Sequence, residues 1–574
     1  MSMLLAQPTA AKTRTAPAFS EVRCRPSRLI HFLPSLTDVV FLLPVLLLYG
    51  TFNGPSFMLG DGDTGWHLRT GEWILANRRV PTTDLFSFTM PGRPWFAWEW
   101  LWDLGFGWLH TRFGMAAVTL ASLFIIATTF ALVYRLAFKK SGNPLVAAGV
   151  VSLAVVASSI HWLARPHLVT LLFTVLFGLI LERCRTGSGR CLWALPFLMV
   201  LWTNLHGGFF VGLILIGTYA AGEICSWVLE KEVIIRQAAL ERAKQYVLCA
   251  LGCAAATLVN PYGFHLHAHI GRYLTERYHL DRIQEFQSLS FHHPIGPVVA
   301  ALLMFGTMSA FWHLTRKRCA EPLLLLGWSW LALVATRNIP IYGVVASPLI
   351  ASALAEMLGR LGAATDVSGW AKSSARRLHR LASDMAALEA PWRLHLASLG
   401  VFTVLIFASF RPASLKLLRS DWDAQRFPVR AFNELPTPVS AHRIFTTDTW
   451  GGYLIYRSYP DIRVFVDGRS DFYGPQFGEN WGRIFSAGYD WQSQLNKFGV
   501  DTVLLPVNAS VVGALKESRR WRPVYDDGVA IVFRAVLDSN FQAQAAAPAG
   551  PSRRGRTTGE TINFTTNNYF TPRG

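Results

Sequence analysis

From residue 36 to residue 410 the chain returns again and again to uncharged apolar runs of roughly 18–22 residues, and no other feature limits its folding so severely. At 1.5 Å rise per residue, a helix of that length matches the ~30 Å hydrocarbon core of a bilayer. Buried core helices are usually shorter, and so many in series leave no room for a water-soluble arrangement. Only 16% of the 574 residues are charged, against about 25% in an ordinary soluble chain, and the deficit is concentrated in these runs. The expected fold class is therefore a polytopic α-helical membrane protein of eleven spans. They fall near 36–54, 115–138, 143–162, 167–181, 192–204, 207–228, 246–260, 296–314, 322–336, 340–358 and 394–410.

The net charge of +18 serves topology rather than nucleic acid. Lys and Arg cluster in the short links between apolar runs, and no zinc-finger, RRM-like or helix-turn-helix pattern accompanies them. The links with Lys139/Lys140, then 182–190, 236–244, 316–318 and 376–380, join the tail residues Arg23, Arg25 and Arg28 on one side, the cytoplasmic one. Residues 1–32 read as a basic cytoplasmic tail, with no small-residue cleavage site after the first apolar run. Residues 33–411 read as the membrane domain, with a large outer loop at 55–114. The segment after 410 then lies outside. Residues 362–392, with Trp370, Arg376, Arg377, Arg380 and Trp392, suit either a helix lying on the anionic leaflet or a solvated loop helix. Seven cysteines are present; none falls outside, and Cys249 and Cys253 read as small apolar packing residues.

Beyond Ser420 the character changes. Short β-branched and aromatic runs at 443–447, 453–457, 463–466, 502–506 and 530–533 alternate with helical stretches near 425–434, 475–486 and 510–518. That alternation predicts a soluble α/β domain over 412–536, followed by a disordered tail at 537–574. Asp467, Arg469 and Asp471 are expected at a strand end, either as a polar cluster facing loop 55–114, because such charges cannot bury unpaired, or as a solvated hairpin turn.

Sorting the unusual polar residues by side is informative. The outer loop carries Asp61-Gly62-Asp63-Thr64-Gly65-Trp66-His67, Arg69, Gly71-Glu72-Trp73, Val80-Pro81, Asp84 and Trp95-Phe96-Ala97-Trp98-Glu99-Trp100. Later outer turns carry Arg165-Pro166-His167, Asn204-Leu205-His206-Gly207-Gly208, Asn260-Pro261-Tyr262-Gly263, Glu285 and Arg337-Asn338. Ionisable groups at membrane depth are expensive, so a set gathered on one face marks a site. Plainer readings exist for each: the tryptophans as an interfacial belt, Asn260-Pro261 as a helix end, and Gly207-Gly208 as a close contact. Asp61 and Asp63 could be caps, and Arg165 and Arg337 anchors. Cytoplasmic links show only generic basic residues.

An Asp-x-Asp-like element just after the first span, in a long outer loop, resembles the GT-C superfamily of membrane glycosyltransferases. The stretch from Asp63 through Gly71-Glu72-Trp73-Ile74-Leu75 to Val80-Pro81 is similar to the loop of protein O-mannosyltransferases and the lipid A aminoarabinose transferase. Trp202-x-Asn204-Leu205-His206-Gly207-Gly208 and Val466-Asp467-Gly468-Arg469-x-Asp471-x-Tyr473 look like features of bacterial GT-C-like proteins. The Trp-Trp-Asp-Tyr-Gly signature of oligosaccharyltransferases is absent, and Asp448-Thr449-Trp450-Gly451-Gly452-Tyr453 is a loose echo of it.

The resemblance implies an inverting transferase in the cell (inner) membrane, with a polyprenyl-phosphate-linked sugar as donor. It implies Asp63 as base, with Asp61 assisting it or sharing with it a divalent cation (Mg or Mn) through hard oxygen ligands. Glu99 is a reserve acid. Arg165 and Arg337 are the phosphate ligands, with His67, Arg69 and His206 also on the substrate. Two other classes fit a polytopic chain. A transporter or flippase would want its polar groups near the midplane of repeat-related halves. A non-catalytic assembly factor would use the outer domain as its surface.

Overall fold

The computed structural model describes residues 28–187, 189–363, 369–389, 391–411, 415–434 and 443–536. The basic tail over 1–27 and the tail over 537–574 lie outside them. All eleven expected stretches are helical. Among the described residues, seven helices are long and apolar enough to cross a membrane: Leu29–Gly50, Trp100–Ser141, Pro144–His161, His167–Thr186, Gly207–Leu229, Gly296–Thr315 and Thr336–Ala363. Ala320–Val334 and Leu396–Ser409 are apolar but shorter. The remaining two are Ala194–Leu205, with 12 residues, and Val233–Ala256, whose first half carries Arg236, Glu241, Arg242 and Lys244.

Local chemistry sets where these helices begin. Ser35 and Asp38 form a capping box at the first, each satisfying the other's backbone N–H. Asn143 caps the helix that opens on Pro144. Gly114 (φ 73°) breaks the 42-residue helix Trp100–Ser141. Unbroken, that helix would be about 63 Å long, twice the hydrocarbon thickness. The kink separates an outer segment from the span.

Polar contacts sort the links into two ends. At one end Lys140 pairs with Glu182 at 2.7 Å, Arg185 with Glu321 at 2.6 Å, Arg242 with Glu223 at 2.8 Å and Arg318 with Glu356 at 2.7 Å. Glu182, Glu223 and Glu321 are buried, so this end is not merely generic basic residues. It is a set of acids matched to the arginines and lysine that face them. Also here, Asp38 accepts from Ser398 at 2.6 Å and ties the first apolar helix to the last. The helix Gly369–Glu389 forms within the expected amphipathic linker, presenting Ala375 and Ala382 inward and leaving Trp370, Leu381 and Leu388 exposed. Cys184 and Cys191 are bridged at this end, whereas Cys249 and Cys253 are free and buried.

At the other end, outer loop and C-terminal region interlock. The helix Asp63–Asn77 crosses the start of Trp100–Ser141 so closely that a Cβ on Gly71 would overlap the Asp103 carbonyl. It meets the helix Asp448–Ser458 through Gly62, Gly65 and Gly452, where side chains would collide with backbone. Further on, Phe88 N–H donates to the Val464 carbonyl, and Val464 N–H to that of Phe86.

The C-terminal region is α/β as expected, with four strands among the described residues: β1 (Ile444–Phe445), β2 (Thr502–Pro506), β3 (Trp521–Asp526) and β4 (Ala530–Ala535). Their order is β1-β2-β4-β3, with β1 parallel to β2 and the other pairs antiparallel. The expected strand at 453–457 is instead helical. Thr447 caps Trp450 N–H and starts a helix whose glycines permit the close contacts with Val466 and Gly62. Residues 463–466 make only isolated bridges, at Val464.

Candidate active site

Loop 55–114, the C-terminal region and the helix ends next to them enclose a cavity of about 420 Å³. Asp63, the first residue of its helix, stands in its wall beneath Gly468, where a Cβ would overlap the Asp63 carboxylate. Asp61 Oδ1 accepts from Asp63 N–H at 3.0 Å, just ahead of the helix whose N-cap is Gly62. The other Asp61 oxygen faces Arg165.

Arg165 is the hub. Its Nη1 donates to Asp61 Oδ2 at 2.6 Å and to Glu285 Oε1 at 2.9 Å, and its Nη2 meets Asp63 Oδ2 at 2.8 Å. Asp63 Oδ1 accepts from Trp66 Nε1–H at 3.1 Å. Burial, reinforced by the charge of Asp61, pushes the Asp63 carboxyl up to about 8, although Arg165 opposes the shift. Burial acts on Glu285 in the same direction and is its largest single influence, but Arg165, His161 and Arg337 together outweigh it and hold the carboxyl down at about 2.

A second cluster lies deeper. Glu99 Oε2 is 3.7 Å from His67 Nε2, and its Oε1 is 3.5 Å from His206 Nε2. His67 Nδ1 meets Asp103 Oδ1 at 2.7 Å. His206 Nδ1 accepts from Gly208 N–H at 3.1 Å and bonds the Thr170 hydroxyl at 2.7 Å, which leaves the neutral ring's proton on Nε2, aimed at Glu99. Burial raises Glu99 to about 8 and lowers His206 to about 3. Burial likewise depresses His67 well below its ordinary range. At neutral pH the two imidazoles are therefore uncharged donor–acceptor groups.

Arg337 also lines the cavity, with its guanidinium over the Phe286 ring at 4.6 Å. Among the described residues it makes no ion pair. Across the cavity the wall is apolar, including Phe210, Ile214, Leu274 and Val334, and the last three are exposed at the molecular surface.

Seven of the eight expected site residues thus gather near one cavity: Asp63, Glu99, His67, Arg165, His206 and Arg337 line it, and Asp61 reaches it through Arg165. Arg69 does not. Its guanidinium points away, to Glu72 at 2.6 Å and to the Tyr456 carbonyl, and it pins the loop helix to Asp448–Ser458. The expected divalent-cation pair, Asp61 and Asp63, stands side by side, with the Arg165 guanidinium bonded to both. Among the described residues no group of three or more His, Cys, Asp or Glu is arranged to hold a metal ion.

Arg469 was expected to face the outer loop, and it does. Its Nε and Nη2 grip Asp467 at 2.8 and 2.7 Å, and Nη2 reaches Asp84 of the loop at 2.8 Å. Asp471 separates from that cluster and pairs with His269 at 2.9 Å. Asn204 accepts from Trp100 Nε1–H and donates to the Val259 carbonyl, a structural role.

Two participants escaped the sequence reading. Asp103 sits four residues past Glu99 at the start of a long apolar helix, and that spacing, one helical turn, was its only signal. Thr170 is an unremarkable hydroxyl in an apolar run.

No protein-family model matches the sequence, and neither does any curated protein. Solved structures do. The apo oligosaccharyltransferase of Archaeoglobus fulgidus matches over 82% of this chain and 69% of its own, at 13% identity and a TM-score of 0.50. A second structure is of the oligosaccharyltransferase AglB from the same organism, in complex with an inhibitory peptide and a dolichol-phosphate. It covers 90% of this chain and 74% of its own, at 13% identity and a TM-score of 0.49. The likeness is one of fold alone: a bundle of apolar helices followed by an α/β region.

Proposed function

We propose that the protein is an inverting membrane glycosyltransferase of the GT-C kind, moving a sugar from a polyprenyl-phosphate-linked donor to an acceptor on the extracytoplasmic face. Eleven crossings over 33–411 then put the N-terminus in the cytoplasm and the domain over 412–536 outside, in the sense the basic links require. The observation that carries the reading is the two-sided cavity. One wall is apolar and reaches the molecular surface at Ile214, Leu274 and Val334, and the other holds Asp63 beside Arg165, with Arg337 also lining it. A donor whose lipid stays in the bilayer while its phosphosugar turns towards charged groups fits such a cavity. A transporter would place its polar groups nearer the midplane.

In this reading Asp63 accepts the proton of the acceptor's nucleophilic group as that group bonds to the anomeric carbon. The bond from that carbon to the phosphate oxygen breaks, and the lipid phosphate leaves. Arg337 and Arg165 stabilise the charge that develops on it, since guanidinium forks match phosphate oxygens. His206, with its proton on Nε2, donates to phosphate or acceptor without itself carrying charge.

Binding and chemistry separate experimentally. Removing a charge-assisted contact costs about 1.5–3 kcal/mol, roughly 10- to 150-fold in affinity. Arg337→Ala is expected to weaken binding of a sugar-free polyprenyl phosphate by that factor, and Asp63→Asn to change it less than about threefold. Equal binding by wild type and Arg337→Ala contradicts the placement of the phosphate.

A further inference from the structure

The opposite end of the helix bundle holds a second cleft, of about 570 Å³, lined by Arg316, Arg318, Glu356, Gly359, Arg360 and Ala363. It lies between the last turn of Gly296–Thr315 and the end of Ile339–Ala363. We infer that this cleft binds the anionic phosphodiester headgroup of a phospholipid in the leaflet at that end.

The site is built rather than a scatter of surface charges. Arg318 is fixed by Glu356 at 2.7 Å and by His313 Nδ1 at 3.3 Å; the His313 ring, buried, also bonds the Leu349 carbonyl. Trp312 donates its indole N–H to Glu356 at 3.1 Å. The same indole carries two guanidiniums over its ring, Arg316 at 5.2 Å and Arg360 at 5.1 Å. Glu356 is thus already committed to Trp312 and Arg318. Arg316 stays 3.8 Å from it, and the Arg316 Nε is buried with no hydrogen-bond partner among the described residues. Three guanidiniums against one carboxylate leave an excess of two positive charges converging on one cleft.

The surroundings favour a lipid over a soluble anion. Met304, Met308 and Phe311, spaced along one face of the same helix, are exposed, and so is Leu314. They offer an apolar track for acyl chains directly beside the arginines. Trp312 sits at the junction, where an indole at a membrane interface belongs. Basic pockets between helices at a membrane surface suit anionic headgroups for this combination of charge and apolar flank. The inference does not rest on the proposed transferase activity, since the cleft is at the far end of the helices from the cavity.

The test is native mass spectrometry of the full-length protein released from mixed micelles of phosphatidylglycerol and phosphatidylcholine. Wild type is expected to retain phosphatidylglycerol preferentially, at about one molecule per chain. The variant Arg316→Gln/Arg318→Gln/Arg360→Gln should lose that preference by about tenfold or more, and the corresponding triple Lys variant should keep most of it. Lys231→Gln/Arg236→Gln, in another link at the same end, should leave it unchanged. Equal retention of the two lipids by wild type overturns the inference without needing any variant. So does an equal loss in the Lys231/Arg236 control, or displacement of the lipid by millimolar inorganic phosphate, which would assign the cleft to a free anion.

Discussion

Arg469 is the residue through which the outer loop and the C-terminal region are held in register, and its removal is the perturbation whose cost the structure defines best. Its guanidinium makes bonds of 2.8 and 2.7 Å to Asp467 and one of 2.8 Å to Asp84. All three side chains are almost wholly buried, under Phe86, Trp95 and Phe472. Arg469→Met fills similar volume but strands two buried carboxylates, a defect that costs about 3–5 kcal/mol. Tyr473 O–H and the Ser87 hydroxyl still serve Asp467 and Asp84, so the lower half of that range is expected. A loss of about 3 kcal/mol raises the local opening equilibrium more than 100-fold. Hydrogen–deuterium exchange reads this directly. Amides around 84–95 and 464–473 should exchange faster by that factor, while those of the buried helix Ile339–Ala363 stay as they were. Unchanged exchange at both outer segments would refute the reasoning, because it would mean that the carboxylates had found other partners or lost their charge at no cost.

Two further predictions concern the cavity. If Asp63 is the base, kcat/KM must rise with pH, because only the ionised carboxylate accepts a proton; with its titration pushed up to about 8, the rate should fall roughly tenfold per pH unit below that point and level off above it. A flat profile between pH 6 and 9 contradicts the assignment. The same elevation links folding to protons in the opposite sense, so this carboxyl's contribution to stability declines as pH rises from the ordinary carboxylate range towards 8. Because Arg165 holds the place between Asp61 and Asp63, turnover in excess chelator should stay within about a factor of two of the untreated value. Abolition by chelator and rescue by manganese would give a metal the role assigned here to Arg165.

The sequence made some of this legible and hid the rest for identifiable reasons. Helices of the membrane region announce themselves through uninterrupted apolar runs, and even the start of the 115–138 stretch coincides with the kink at Gly114. Asp61, Asp63, Glu99, Arg165, His206 and Arg337 were findable because charged or imidazole groups beside apolar spans are costly and stand out. Arg69 misled because its position beside His67 in the sequence says nothing about direction. Two residues on from His67, it leaves the loop helix on another face and meets Tyr456. The segment 453–457 misled because its aromatic and β-branched composition is that of a strand, whereas Gly451 and Gly452 just before it let two backbones touch and belong to a helix. The matched acids Glu182, Glu223 and Glu321 lie on three different helices, and only folding brings them to the arginines and lysine they neutralise.

The central claim is that this cavity transfers sugar and that Asp63 carries the proton. Its most direct test is the turnover of polyprenyl-phosphate-linked sugars, labelled in the sugar, by the purified protein in nanodiscs, with wild type compared to Asp63→Asn. The substitution keeps the size of the side chain and removes its charge and basicity. Release or transfer of label by wild type is expected, with a loss of about 10²–10⁴-fold in Asp63→Asn and no change in yield or monodispersity. Full turnover in Asp63→Asn, and likewise in Asp61→Asn, would contradict the mechanism.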